Sequence, residues 1–122
     1  MPVGTRGAVR HLSSIDLSQL GAEVILANTY HLMLRPGSDV VRSLGGVGPF
    51  ASWDGLTLTD SGGYQIFSLK PKVDDQGALF RSTYDGTTHL LTPEKASLVQ
   101  ADLAADIPVS YTHLTLPTIL RV

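Results

Sequence analysis

Apolar and polar positions change their spacing along the chain, and each change marks an element. Ser13 to Asp16 forms a Ser-x-x-Asp capping box that predicts a short helix, with Gly21 closing it in a left-handed C-terminal position. AEVILAN, from Ala22 to Asn28, has almost no polar alternation, which predicts a strand buried on both faces of a parallel sheet. PGSDVVRSLGG predicts a helix opened by Pro36, with Val40, Val41 and Leu44 at helical spacing and Gly45 as its stop. GLTLTD predicts a second short strand ending at Asp60. The order helix, strand, helix, strand points to α/β architecture.

ALFRSTYDGTTHLLT interrupts that order with two strand-like runs around Asp85-Gly86, a strong hairpin signal. Thr92 is placed to cap a helix with Pro93 in its first turn and Ala96, Val99 and Leu103 as its apolar stripe. ADI, from Ala105 to Ile107, reads as the entry to another strand. From Pro108 the texture changes: threonines, no acid, no turn signals and no helical period. VSYTHLTLPT, Val109 to Thr118, resembles the translation of a transposon-type sequencing-library adapter. Residues 108–122 are therefore read as a non-native tail and set aside from fold reasoning, against the alternative of a divergent edge strand.

Composition narrows the class. The chain has 122 residues, the size of one small domain or a piece of a larger one. With 43% hydrophobic and 16% charged residues it is globular rather than disordered. A formal charge of −2 advertises no strong field for nucleic acid, although a local basic patch is compatible with it. The absence of cysteine leaves no disulfide framework and no thiolate metal site. No apolar run reaches membrane length and no signal-peptide pattern opens the chain, so a soluble cytoplasmic protein is the default expectation.

Candidate chemistry gathers at two strand ends. Asp60 begins Asp-Ser-Gly-Gly, which by composition alone is a turn. Its place at the C-terminal end of a presumed parallel strand is where barrel enzymes hold their catalytic groups. Gly62 and Gly63 would let a ligand or a second backbone approach closely. Tyr64 is either a rim aromatic that packs or a flat ring on which a base stacks. Asn28 and His31, in NTYHL, follow the earlier strand; a lone histidine is more often structural, but two polar groups at neighbouring strand ends share one mouth. His11 and His89 read as ordinary surface or hairpin residues.

Taken together, MPVGT (Met1 to Thr5), NTYHLMLRPG (Asn28 to Gly37), TDSGGYQIFSL (Thr59 to Leu69), FRS (Phe80 to Ser82), the Asp-Gly pair and LTPEK (Leu91 to Lys95) resemble the bacterial tRNA-guanine transglycosylases, also called queuine tRNA-ribosyltransferases. The resemblance covers Met1 to Ile107 in order and spacing. It implies an α/β fold: an incomplete (β/α)8 TIM-type barrel with a β-hairpin insertion at Leu79 to Leu91. Residues 1–107 would be a partial barrel of about three βα units. In that family MPVGT follows an upstream segment, so the resemblance implies a chain truncated at both ends.

The implied reaction exchanges the wobble guanine of tRNA for 7-aminomethyl-7-deazaguanine or queuine in queuosine biosynthesis, through a covalent ribosyl-enzyme. Carried over residue by residue, Asp60 matches the family's general acid/base. Ser61, Gly62, Gly63 and Tyr64 match the substrate-binding loop, with Tyr64 stacking on the base. Asn28, His31 and Gln65 match polar groups on the ribose side, and Val3 and Leu26 match apolar neighbours of that ribose. The nucleophilic aspartate and the base-reading aspartate have no counterpart here. The resemblance also implies a zinc ion in the full-length enzyme, held by three cysteines and a histidine that this chain lacks. It implies the tRNA anticodon loop and a 7-deazaguanine base as partners, with a homodimer as the full-length form. A non-catalytic tRNA-binding subunit of the same family would depart from TDSGGYQ, which is intact here. A barrel glycosidase using Asp60 would need a second carboxylate near the strand ends and no NTYHL.

Overall fold

The computed structural model describes residues 1–109; Ser110 to Val122, most of the segment read as a tail, lie outside the described residues. Helix α1, Ser14–Gln19, opens on a complete capping box. The Ser13 hydroxyl accepts the Asp16 N–H, and the Asp16 carboxylate accepts the Ser13 N–H. Backbone and then side-chain hydrogen bonding from Ser13 hold the Asp16 carboxyl below its ordinary pKa. The helix ends in a Schellman arrangement: Gly21 has φ +84°, its N–H reaches Ser18 O, and Ala22 N–H reaches Leu17 O.

Strand β1, Val24–Ala27, is followed by helix α2, Thr29–Leu32, a π-type turn over Met33–Gly37, helix α3, Ser38–Ser43, and helix α4, Val47–Phe50. Strand β2, Leu56–Thr59, leads into helix α5, Gly63–Ser68. Strands β3 (Lys72–Val73), β4 (Ala78–Arg81) and β5 (Thr88–Leu91) come next, then helix α6, Pro93–Leu103, and strand β6, Ile107–Pro108. β1, β2 and β6 form a parallel sheet in that order, and β3, β4 and β5 form a separate antiparallel sheet. The result is an α/β unit with helical crossovers between parallel strands, as the sequence pattern predicts.

Only one face of the parallel sheet is covered. Ile25, Ala27, Thr57 and Thr59 are buried, whereas Val24, Leu26 and Leu58 are half-buried and Leu56 is exposed. The expectation that AEVILAN is buried on both sides is thus corrected for the described residues. On the covered face Ala27 packs with Leu32, Val41, Val47, Val99 and Leu103, which brings α2, α3, α4 and α6 onto the sheet. Ile25 packs with Leu17 and Trp53. A further cluster of Tyr30, Ile66, Phe80, Leu91 and Ala96 fastens the antiparallel sheet to α2, α5 and α6.

One other expectation changes. The helix expected from Pro36 begins at Ser38, because Gly37 (φ +105°, ψ 144°) leaves the helical region and becomes its N-cap; Arg35 before the proline is extended, as a residue preceding proline commonly is. Of the expected apolar stripe only Val41 is buried, while Val40 in α3 and Leu44 just after it stay exposed. Pro108 and Val109, the first residues assigned to the tail, lie along β2: Thr59 pairs with Pro108, and Val109 N–H donates to Thr59 O at 2.9 Å. The α6 reading holds closely, with Thr92 accepting the Lys95 N–H and Ala96, Val99 and Leu103 buried.

Candidate active site

The parallel register decides where the polar residues fall. Val24 pairs with Leu56 and Ala27 with Thr59, so the residues following each strand, Asn28 and Asp60, are carried side by side. Asp60 N–H donates to Ala27 O at 3.3 Å and extends the ladder by one residue. Alternation along each strand then sets the face. Leu26, Asn28, Leu58 and Asp60 share the face opposite the helix-covered one.

The Asp60 carboxylate is half-buried and held at both oxygens. Asn28 Nδ2 donates to Oδ2 at 2.6 Å, and Thr29 N–H donates to Oδ1 at 2.8 Å. Gln65 Nε2 lies at 3.4 Å from Oδ2. Asn28 is the N-cap of α2 but makes no capping bond of its own; its side chain is spent on Asp60, and Asp60 satisfies the first helical N–H instead. A carboxylate offers about four acceptor positions, so three donors leave room for a further proton or hydrogen bond on the open side.

The loop after Asp60 answers why the first of its two glycines is needed. Ser61 is buried, and its hydroxyl accepts the Gly63 N–H at 3.2 Å. Gly62 takes φ +73°, and a Cβ there would sit 3.2 Å from Tyr30 N. Left-handed geometry and close backbone approach therefore both select glycine. Gly63 opens α5, and Tyr64 on its first turn is 75% exposed. Its ring is not used in packing and is available to a flat ligand.

The remaining candidates divide. Leu26 and Val3 are neighbours through a parallel bridge, with Gly4 N–H on Leu26 O at 2.7 Å and Leu26 N–H on Pro2 O at 2.9 Å. This N-terminal segment runs beside β1, and Thr5 O accepts the Asn28 N–H. His31 does not join Asp60: its Nδ1 lies 2.7 Å from Tyr84 OH, and its ring meets Tyr30 and Tyr84 edge-on. The shared mouth expected for Asn28, His31, Asp60 and Tyr64 thus gathers Asn28, Asp60 and Gln65 by hydrogen bonds, and turns His31 toward the β4–β5 connection.

Behind the site lie polar residues that motif reading passed over. Thr29 Oγ1 donates to Asp60 O, and Gln100 Nε2 donates to the same carbonyl at 2.9 Å. Gln100 Oε1 accepts from Thr59 Oγ1 at 2.7 Å. The signal was present in the sequence: Gln100 stands four residues after Ala96 and three before Leu103, inside the apolar stripe of α6, where a polar side chain needs a partner. Farther down, Asp106 Oδ2 accepts from Thr57 N–H at 2.8 Å and from Thr57 Oγ1 at 3.1 Å, joining β2 to the start of β6.

The zinc ion implied by resemblance does not fit these residues. The sequence has no cysteine, and among the described residues no three histidine, aspartate or glutamate side chains are grouped to hold a metal. Among the same residues no helix is long and apolar enough to cross a membrane.

A profile of the family described as Queuine tRNA-ribosyltransferase matches residues 1–119. Among curated relatives, the queuine tRNA-ribosyltransferase of Symbiobacterium thermophilum is 50% identical over 117 residues, covering 94% of this chain and 29% of the relative. That of Desulforudis audaxviator is 51% identical over 109 residues, covering 88% and 29%. That of Thermus thermophilus is 50% identical over 113 residues, covering 91% and 29%. The chain therefore spans less than a third of the length of these relatives. With nearly its whole length matched, the chain belongs to the queuine tRNA-ribosyltransferase family.

Proposed function

We propose that this chain supplies the acid/base side of a tRNA-guanine transglycosylase site, and that its parallel sheet is the opening part of a (β/α)8 barrel. The carrying observation is the Asn28–Asp60 pair, set 2.6 Å apart at adjacent C-terminal strand ends on the face away from the helices. In a barrel that face is the interior, and the strand C-termini form the mouth where catalytic groups belong. The half-buried Leu26 and Leu58 would line that interior below the carboxylate.

The chemistry is base exchange at a ribose C1′ in the tRNA anticodon loop. A nucleophilic carboxylate outside these residues bonds to C1′ as the C1′–guanine bond breaks with its electron pair on guanine. The incoming 7-aminomethyl-7-deazaguanine or queuine then loses a ring proton and attacks C1′, and the carboxylate leaves. Asp60 manages the proton on the departing and arriving bases; Asn28 and Thr29 keep its oxygens aimed. Two carboxylates about one C1′ follow the logic of retaining glycosidases. Tyr64 supplies a stacking surface, Gln65 reaches toward the carboxylate, and Leu26 with Val3 borders the ribose. Ser61 and Gly62 shape the loop that carries the ring. We read the full-length form as a cytoplasmic homodimer whose zinc is held by residues other than these.

The test is incorporation of labelled guanine into tRNA by the full-length enzyme carrying this segment. Tyr64→Ala in that enzyme is expected to weaken base binding by about 1–3 kcal/mol, the loss of one stacked ring. Titration with the free 7-deazaguanine checks it, and unchanged affinity would remove Tyr64 from the base pocket.

A further inference from the structure

We infer that Gln100 and Thr29 form a positioning pair that sets the aim of Asp60 from behind, an assignment resting on the acid/base role proposed for that residue. Asp60 presents its carboxylate to the open face and its carbonyl to the helix-covered interior. That carbonyl accepts two side-chain hydrogen bonds, from Thr29 Oγ1 and from Gln100 Nε2 at 2.9 Å. The same Gln100 amide accepts from Thr59 Oγ1 at 2.7 Å, and its nitrogen lies 3.4 Å from Thr29 Oγ1 and from Val109 O. One side chain on α6 thus ties together the ends of β1, β2 and β6.

The two threonines involved are deep, and Asp60 and Gln100 are half-buried. Thr59 is fully buried and Thr29 is 4% exposed. A buried carbonyl that loses its donors incurs a desolvation penalty, so the backbone at Asp60 would turn to recover them. A turn there swings the carboxylate away from Asn28 Nδ2 and from a bound base. Thr29 acts on both ends of Asp60, since its N–H holds Oδ1 while its hydroxyl holds the carbonyl. Neither Gln100 nor the Thr29 hydroxyl touches the carboxylate itself. Their effect therefore belongs in turnover rather than in tRNA affinity.

The experiment compares steady-state guanine exchange into tRNA by the full-length enzyme and three variants. Gln100→Met keeps length and apolar bulk but removes the donor and the acceptor. Thr29→Val removes the hydroxyl, and Thr29→Ser keeps it. Gln100→Met and Thr29→Val should lower kcat about ten- to a hundred-fold, the scale set by sub-ångström to ångström misplacement of a reacting group. KM for tRNA should stay within about two-fold, because binding groups are untouched. Thr29→Ser should keep kcat within about three-fold of wild type. A merely structural role would not produce that split or that rescue. Wild-type kcat in Gln100→Met, or equal losses in Thr29→Val and Thr29→Ser, overturns the positioning role while leaving the site reading standing. A wild-type enzyme that exchanges no guanine overturns both. If Gln100→Met does not fold, the two Thr29 variants decide alone.

Discussion

Asp60→Asn in the full-length enzyme is expected to remove base exchange almost completely while leaving the protein folded. The amide keeps the size of the carboxylate, and its oxygen can still accept the Thr29 N–H that now reaches Oδ1 at 2.8 Å. Its nitrogen would meet Asn28 Nδ2, two donors face to face where 2.6 Å now separates donor and acceptor. Asn28 can answer by turning its amide over to present oxygen, so local structure survives. What does not survive is a group able to take up and return a proton, which general acid–base catalysis makes worth about 10²–10⁴-fold. Guanine incorporation measured alongside thermal unfolding checks both halves. Full exchange activity in a folded Asp60→Asn enzyme would take Asp60 out of the mechanism.

A polypeptide of these 122 residues expressed by itself is expected to show neither exchange nor a cooperative unfolding transition. One face of its parallel sheet is left open: Leu56 and Ile107 are 50% and 45% exposed, and Val24, Leu26 and Leu58 are only half-buried beside them. Apolar residues elsewhere share this condition, Ile15 and Leu20 on and after α1 at 68% and 72% exposed and Leu98 on α6 at 65%. Ordering each residue costs about 1–2 kcal/mol of backbone entropy, and burial returns about 25 cal/mol per Å², which an uncovered face does not supply. A closed barrel also removes the sheet edge beyond β6, which has no partner strand among the described residues, whereas the β1 edge is bordered by Pro2 to Thr5. The proposed two-carboxylate chemistry would need a nucleophile in addition to Asp60. Calorimetry and guanine exchange on the purified polypeptide test this; a sharp heat-absorption peak or incorporation above background would contradict it.

Local signals carried much of this fold. The Ser13–Asp16 box, the Gly21 stop and the Thr92 cap each name their own hydrogen-bond partner within a few residues, so sequence is enough to place them. The Asn28–Asp60 contact spans 32 residues but was still readable, because parallel strands in register carry their next residues to one place. His31 was not readable in that way. Its partner Tyr84 sits in the β4–β5 connection, and nothing local fixes how that connection lies against α2. The helix expected from Pro36 starts only at Ser38 because Gly37 takes φ +105° and ψ 144°, a freedom peculiar to glycine that the Pro36 signal does not weigh. Gln100 was legible and passed over, since a polar side chain inside an apolar stripe asks which buried group it serves. Exposure of Val40 and Leu44 has a different cause: helical spacing marks a stripe but does not say what covers it.

Base exchange as proposed requires a base lying between Tyr64 and Asp60 at the mouth formed by two parallel strand ends. A crystal structure of the full-length enzyme soaked with 7-aminomethyl-7-deazaguanine tests that most directly. The predicted result is a heterocycle stacked on the Tyr64 ring, with the Asp60 carboxylate within about 3.2 Å of one of its polar atoms. A base bound elsewhere in the enzyme, with the Tyr64–Asp60 mouth empty, would contradict it.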